Sequence, residues 1–230
     1  MAKPSHRDKI LSEGLRVVHA RGFKGASVRD IVQAAGVPQG SFTNHFSSKE
    51  AFGLEVIDLY RDAGREVMRQ TLCNDALPPL ARLRGYIDTL KGRQNEDSMR
   101  YGCLLGNFTA ETSDHSEPMR ARLVEIFDEA RQALAYCLRA AVQAGELAPG
   151  LDCEEVAGFI VSAHQGATLM AKARRSTVPV EQFKEILFAT VLRRVGPADP
   201  VGDGSSKRPS RLAPKVAASA PARPRRAARS

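Results

Sequence analysis

The chain lacks any apolar run approaching the roughly 18 residues that a membrane-crossing helix needs. Its first residues, Met-Ala-Lys-Pro-Ser-His-Arg-Asp, lead into no apolar stretch of the kind a secretory signal requires, so a cytoplasmic location is expected. The four cysteines, Cys73, Cys103, Cys137 and Cys153, are widely spaced and form no CxxC pair. That argues against a disulfide scaffold or a structural zinc site and fits a reducing compartment. No phosphate-cradling glycine loop, nucleophile elbow or catalytic triad is recognisable. Asp114-His115 has no third ligand at a metal-binding spacing and reads as a loop turn. No catalytic residue, metal or cofactor is therefore assigned, and an enzyme is not expected. A convincing strand is missing too, because the apolar residues recur at helical spacing throughout.

What is present is enough length for a substantial core and an uneven distribution of charge. The chain has 230 residues, 43% of them hydrophobic, and a net charge of +8. Residues 1–50 carry a balance of +4, residues 51–196 a balance of −2 and residues 197–230 a balance of +6. Attraction to phosphate is thus expected at the N-terminal segment and possible at the tail. The tail has six prolines with many Ala, Ser and Arg, a composition that cannot bury enough surface to fold. It reads either as a solvated extension or as a source of salt-dependent, non-specific DNA affinity. A non-specific architectural DNA-binding protein is the corresponding alternative for the whole chain.

Helices are expected from about Ser5 to Arg21, Ser27 to Ala35, Pro38 to Phe46, Ser48 to Leu72 and from Pro79 onward. Asn95 to Ser98 reads as a polar break. Further helices follow near Gly102 to Thr112, Ser116 to Ala144, Asp152 to Arg175 and Val180 to Val195. Residues 27 to 53 are the most informative. Ser27 is a natural N-cap, with Asp30 three positions on as a near capping box. Val28, Ile31, Val32 and Ala35 give one apolar face, Gly36 ends the helix, and Pro38 suits the first turn of the next. The second helix is too short to stand alone. Val37, Phe42 and Phe46 are expected to pin it, leaving Gln39, Ser41, Thr43, Asn44 and His45 facing out. Such a helix suits a DNA major groove, where amide side chains read adenine, and Lys49 is placed to meet a phosphate. A helical hairpin without a nucleic-acid role has the same spacing.

The run Gly36-Val37-Pro38-x-Gly40-Ser41-Phe42-x-x-His45-Phe46-x-Ser48-Lys49-Glu50-x-Phe52 closely resembles the DNA-binding segment of TetR-type bacterial repressors. The resemblance implies an all-α chain: a three-helix helix-turn-helix domain over residues 1–50 and an effector-binding and dimerisation domain over residues 51–196. DNA contacts are then expected from Ser27, Arg29, Gln39, Gly40, Ser41, Thr43, Asn44, His45 and Lys49. Thr43 departs from the pattern, since the family usually has a tyrosine there that touches the DNA backbone. The partners implied are a palindromic operator in double-stranded DNA, a second copy of the chain and a small-molecule or electrophilic inducer, with no membrane. In this family the last two helices of each subunit form the dimer interface. The apolar excess along Val156, Phe159, Ile160, Leu169 and Met170, continued in Phe183, Ile186 and Leu187, fits that role, or an intramolecular core.

Gly102-Cys103-Leu104-x-Gly106-Asn107, with Glu111 and Ser116-Glu117-x-Met119-Arg120 beyond it, resembles the branch responsive to N-ethylmaleimide-like electrophiles and to acrylate. By that resemblance Cys103 falls on the cysteine that electrophile sensors use. Independently, Cys103 stands at the start of a short helix, where free N–H groups favour a thiolate. Arg100 is near in sequence, and Lys172 comes close if its helix packs alongside. The candidate effector residues are Cys103, Arg100, Phe108, His164 and Lys172. A sensing thiol, an unreactive pocket wall and a packed small hydrophobe remain the three readings of Cys103.

Overall fold

The computed structural model describes residues 5–92 and 100–193, and every regular element among them is helical. The helices are α1 (His6–Arg21), α2 (Val28–Ala35), α3 (Gly40–His45), α4 (Lys49–Gln70), α5 (Pro79–Gly92), α6 (Leu104–Thr112), α7 (Glu117–Gln143), α8 (Cys153–Arg174) and α9 (Val178–Ile186). A π-helical turn, Leu187–Val191, continues α9. The expected polar break at Asn95 to Ser98, the last residues of the expected final helix and the tail from residue 197 lie outside the described residues.

Local chemistry sets the helix starts. Ser27 Oγ accepts the Asp30 N–H at 3.1 Å while Asp30 Oδ2 accepts the Ser27 N–H at 3.0 Å, so the box is reciprocal. Ser5 and Asp8 build the same box at the start of α1. Gly36 takes the left-handed conformation, φ 63° and ψ 37°, that lets α2 stop and α3 begin at once. Helix α3 is shorter than expected. Pro38 and Gln39 only offer carbonyls to the Ser41 and Phe42 N–H groups, and the chain is extended again at Phe46. The final helix also differs from the expectation of one unbroken run. It begins two residues earlier, with Pro179 in its first turn, and loses α geometry after Ile186, where Leu192 N–H reaches back five residues to Leu187 O.

Two apolar clusters organise the chain. The first joins α1 to α4 with Leu104, Leu105 and Phe108 of α6 and Met119, Leu123 and Ile126 of α7. The second joins α5, the later part of α7, α8 and the π turn. The rings of Phe42, Phe46 and Phe52 meet at centroid distances of 5.2–5.4 Å and fix α3 against α4. The fit is tight around Phe52. A Cβ at Gly14 of α1 would stand 2.4 Å from Phe52 Cζ and 3.0 Å from Ile31 Cγ2. Gly14→Val should therefore overpack this cluster and destabilise the chain by about 1–3 kcal/mol. Urea denaturation of the variant beside the parent measures it, and an unchanged midpoint contradicts the packing described.

Candidate functional site

Helix α3 turns Gln39, Gly40, Thr43, Asn44 and His45 to solvent, and Ser27 and Arg29 are exposed beside it. Ser41 is a correction to the expected face. It is only 8% exposed, with Oγ 3.5 Å from His6 Nδ1, because the first turn of α1 covers the first turn of this short helix. The Ser27 hydroxyl is engaged in its cap. It also donates to Asp30 Oδ2 at 2.6 Å, and that bond, foremost, lowers the Asp30 carboxyl to about 2, while Arg21 pairs with the same carboxylate at 2.7 Å. Thr43 Oγ1 donates to Gly40 O at 3.1 Å. Lys49 is partly buried, its Nζ 4.8 Å from the centre of the Phe23 ring, and burial lowers its pKa although Glu111 opposes the shift.

The effector candidates divide. Cys103 and His164 line a cavity of about 480 Å³ bounded by α1, α4, α5, α6, α7, α8 and α9. Arg100, Phe108 and Lys172 do not line it. Arg100 is exposed. Phe108 is 1% exposed and stacks on Phe23 at 5.1 Å, since α6 turns that face toward α1 and the loop before α2. Lys172 Nζ donates to Asn107 Oδ1 at 3.0 Å, and its stem lies against Gly102. Cys103 is the N-cap residue of α6, and its Sγ accepts from Gln165 Nε2 at 3.5 Å. The other thiols are elsewhere: Cys73 is exposed, while burial raises the Cys153 thiol and pushes Cys137 up to about 11.

The cavity also contains residues that the candidate set omitted. His19 Nε2 donates to Gly102 O at 2.8 Å, and burial, more than any other influence, lowers its pKa. Burial, with the nearby Cys103, pushes the Tyr86 phenol up to about 12, so it stays neutral. His19 sits in the last turn of α1, where a histidine is an ordinary complement to the helix dipole. Only its distant carbonyl partner marks it as something more. Among the described residues no group of His, Cys, Asp and Glu could hold a metal ion, and no helix is long and apolar enough to cross a membrane.

Helix α6 links cavity and reader. At one end Gly102 O holds His19 of α1, and at the other Glu111 Oε2 accepts the Lys24 N–H at 2.8 Å in the loop before α2. A cavity is joined in this way to an exposed short helix that follows a glycine turn. The description "Bacterial regulatory proteins, tetR family" matches residues 10–56, and "Tetracyclin repressor-like, C-terminal domain" matches residues 79–187. The HTH-type transcriptional repressor DhaR of Mycobacterium sp. (strain GP1) is 35% identical over 196 residues, covering 84% of this chain and 95% of the relative. The crystal structure of regulatory protein TetR from Rhodobacter sphaeroides is similar with a TM-score of 0.73 and 29% identity, covering 77% of this chain and 94% of that one. The reduced form of Escherichia coli NemR is similar with a TM-score of 0.69 and 26% identity, covering 79% and 96%. The chain belongs to the TetR family of transcriptional repressors, and it is a DNA-binding regulator rather than an enzyme.

Burial depresses His164 from 6.5 to about 4. The unfolded chain takes up this proton as pH falls through 6.5 and the folded chain only near 4, so the stability contributed is present above pH 6.5 and lost between those values. The loss is on the order of 3 kcal/mol. His164→Gln should flatten the stability–pH curve over that interval without abolishing its slope, because the depressed His19 acts in the same direction. Urea denaturation at several pH values measures the difference, and parallel curves would contradict it.

Proposed function

We propose that the chain acts as a homodimeric repressor of a pseudo-palindromic operator. Residues 1–50 read DNA, and residues 51–196 pair the subunits and receive the releasing signal. What supports pairing is an apolar face on α8 and α9: Phe159 is 49% exposed, Leu169 64% and Ile186 59%, more than a solvated helix pair carries without a partner. What supports reading is Gly40, where a Cβ would meet nothing within 4 Å and no positive φ is recorded. The open space there leaves room for a closely approaching DNA backbone.

The releasing signal enters the cavity and acts on α6. Any molecule that alters the Gly102–Cys103 end strains the His19 and Glu111 ties, and the two readers of a dimer then no longer fit successive grooves. One route is covalent. The Cys103 thiolate adds to the β-carbon of an enone or maleimide, the π pair moves to the carbonyl oxygen, and a proton is taken up at the α-carbon. The other route is non-covalent, and the volume of the cavity supports it. Release requires the ligand to bind the two states unequally.

The single observation carrying this reading is α6, which begins at the cavity cysteine and ends on the loop of the reader. Sequence selection from random duplex DNA should enrich a two-fold symmetric site, and enrichment without symmetry would rule out the dimer reading. On that site Gly40→Val should weaken binding roughly tenfold or more at unchanged thermal stability. In anisotropy titrations Cys103→Ser should keep operator affinity yet resist release by N-ethylmaleimide. Release that persists in this variant removes the covalent route through Cys103.

A further inference from the structure

Two polar atoms on the cavity wall lack a hydrogen-bond partner. They are His164 Nε2 and Thr168 Oγ1, one turn apart on α8 and shielded from solvent. Thr168 is unusual within this chain. The hydroxyls of Thr71, Thr89, Thr109 and Thr112 each donate to the carbonyl four residues back, at 2.6–2.8 Å. Thr168 is 3% exposed and does not. Buried polar groups are ordinarily paired, and each exception calls for an account.

The remaining wall limits what the account can be. Among the described residues no carboxylate lines the cavity, and its one formal cation, Arg61, is held by Asp58 at 3.2 Å and Asp62 at 3.3 Å. Lys172 is outside the wall and occupied by Asn107. A charged ligand would find no free counter-charge there, and its desolvation would go uncompensated. A neutral oxygen is different: it accepts from the Thr168 hydroxyl and engages the imidazole. Gln165 and Lys172, on the same side of α8, touch the Cys103–Gly102 segment, so an oxygen seated at Thr168 holds its carrier beside the start of α6.

We infer that the cavity selects uncharged, mainly apolar molecules bearing one carbonyl or hydroxyl oxygen, which His164 and Thr168 together receive. This rests on the reading of the cavity as the effector site and narrows its ligand class. The test uses the full chain and four probes of matched shape, acetophenone, 1-phenylethanol, ethylbenzene and benzoate, with binding followed by calorimetry. The ketone and the alcohol should bind at least roughly tenfold more tightly than ethylbenzene, and benzoate should not bind. The near-isosteric Thr168→Val should erase the preference for the oxygenated probes while retaining affinity for ethylbenzene, and His164→Leu should reduce it.

Ethylbenzene binding as tightly as acetophenone, benzoate binding most tightly, a preference that survives Thr168→Val, or no binding by any probe would each overturn the inference. Operator anisotropy keeps the two proposals apart. Probes that bind with the expected preference but leave DNA bound sustain the ligand class and refute release through the cavity. Release by N-ethylmaleimide without binding by any probe does the reverse.

Discussion

Glu111 reaches across from α6 to accept the Lys24 N–H, and the rest of the arrangement depends on that tie together with its counterpart at the other end, His19 on Gly102 O. Between the two, Phe108 and Leu104 are buried in the same apolar cluster as Phe52 and Ile31. The reader helices therefore have no core of their own. Part of it belongs to α6 and to the first half of α7. Close-packed interiors do not deform smoothly, so on the proposed reading a shift of α6 reaches the helix-turn-helix as a repacking rather than being absorbed.

The same economy explains the cavity. Its walls come from seven helices, and the side chains that might have filled it are small or turned away: Ala63, Gly64 and Gly102 line it while Phe108 faces α1 and Phe23. An unpaired buried hydroxyl or imidazole costs about 1–3 kcal/mol. A fold that keeps two of them adjacent gives up stability that a small change of side chain would restore, and a suitable guest removes that cost. The cysteine lies within reach of the same space without any side-chain capping bond of its own.

Much of the reader was legible in the sequence because its signals are local. Ser27 with Asp30, Gly36 and Pro38 dictate helix starts and stops within a few residues of themselves. Ser41 was misread because its burial depends on α1, more than thirty residues away, and no periodicity within α3 reveals it. The break in the last helix was equally hidden, since Leu187 to Val191 are as apolar as the α-helical turn before them. Proximity to Cys103 in sequence suggested Arg100, and Phe108 was a candidate beside it, but helix geometry sends one to solvent and the other into the core. His164 and Cys103 do meet the same cavity. Thr168 carried no sequence signal at all, because what distinguishes it is a bond it does not make.

Thr43 is exposed on α3, and its hydroxyl hydrogen is already spent on Gly40 O. As held in the free protein it offers an approaching strand a methyl group and oxygen lone pairs, and no donor. Phosphate oxygens demand donors, so this position is mismatched to the DNA backbone and better matched to the edges of bases. A methyl meets the 5-methyl of thymine, and a lone pair meets the amino group of adenine or cytosine. On the proposed reading of DNA, Thr43 is therefore suited to distinguishing bases rather than to holding the duplex.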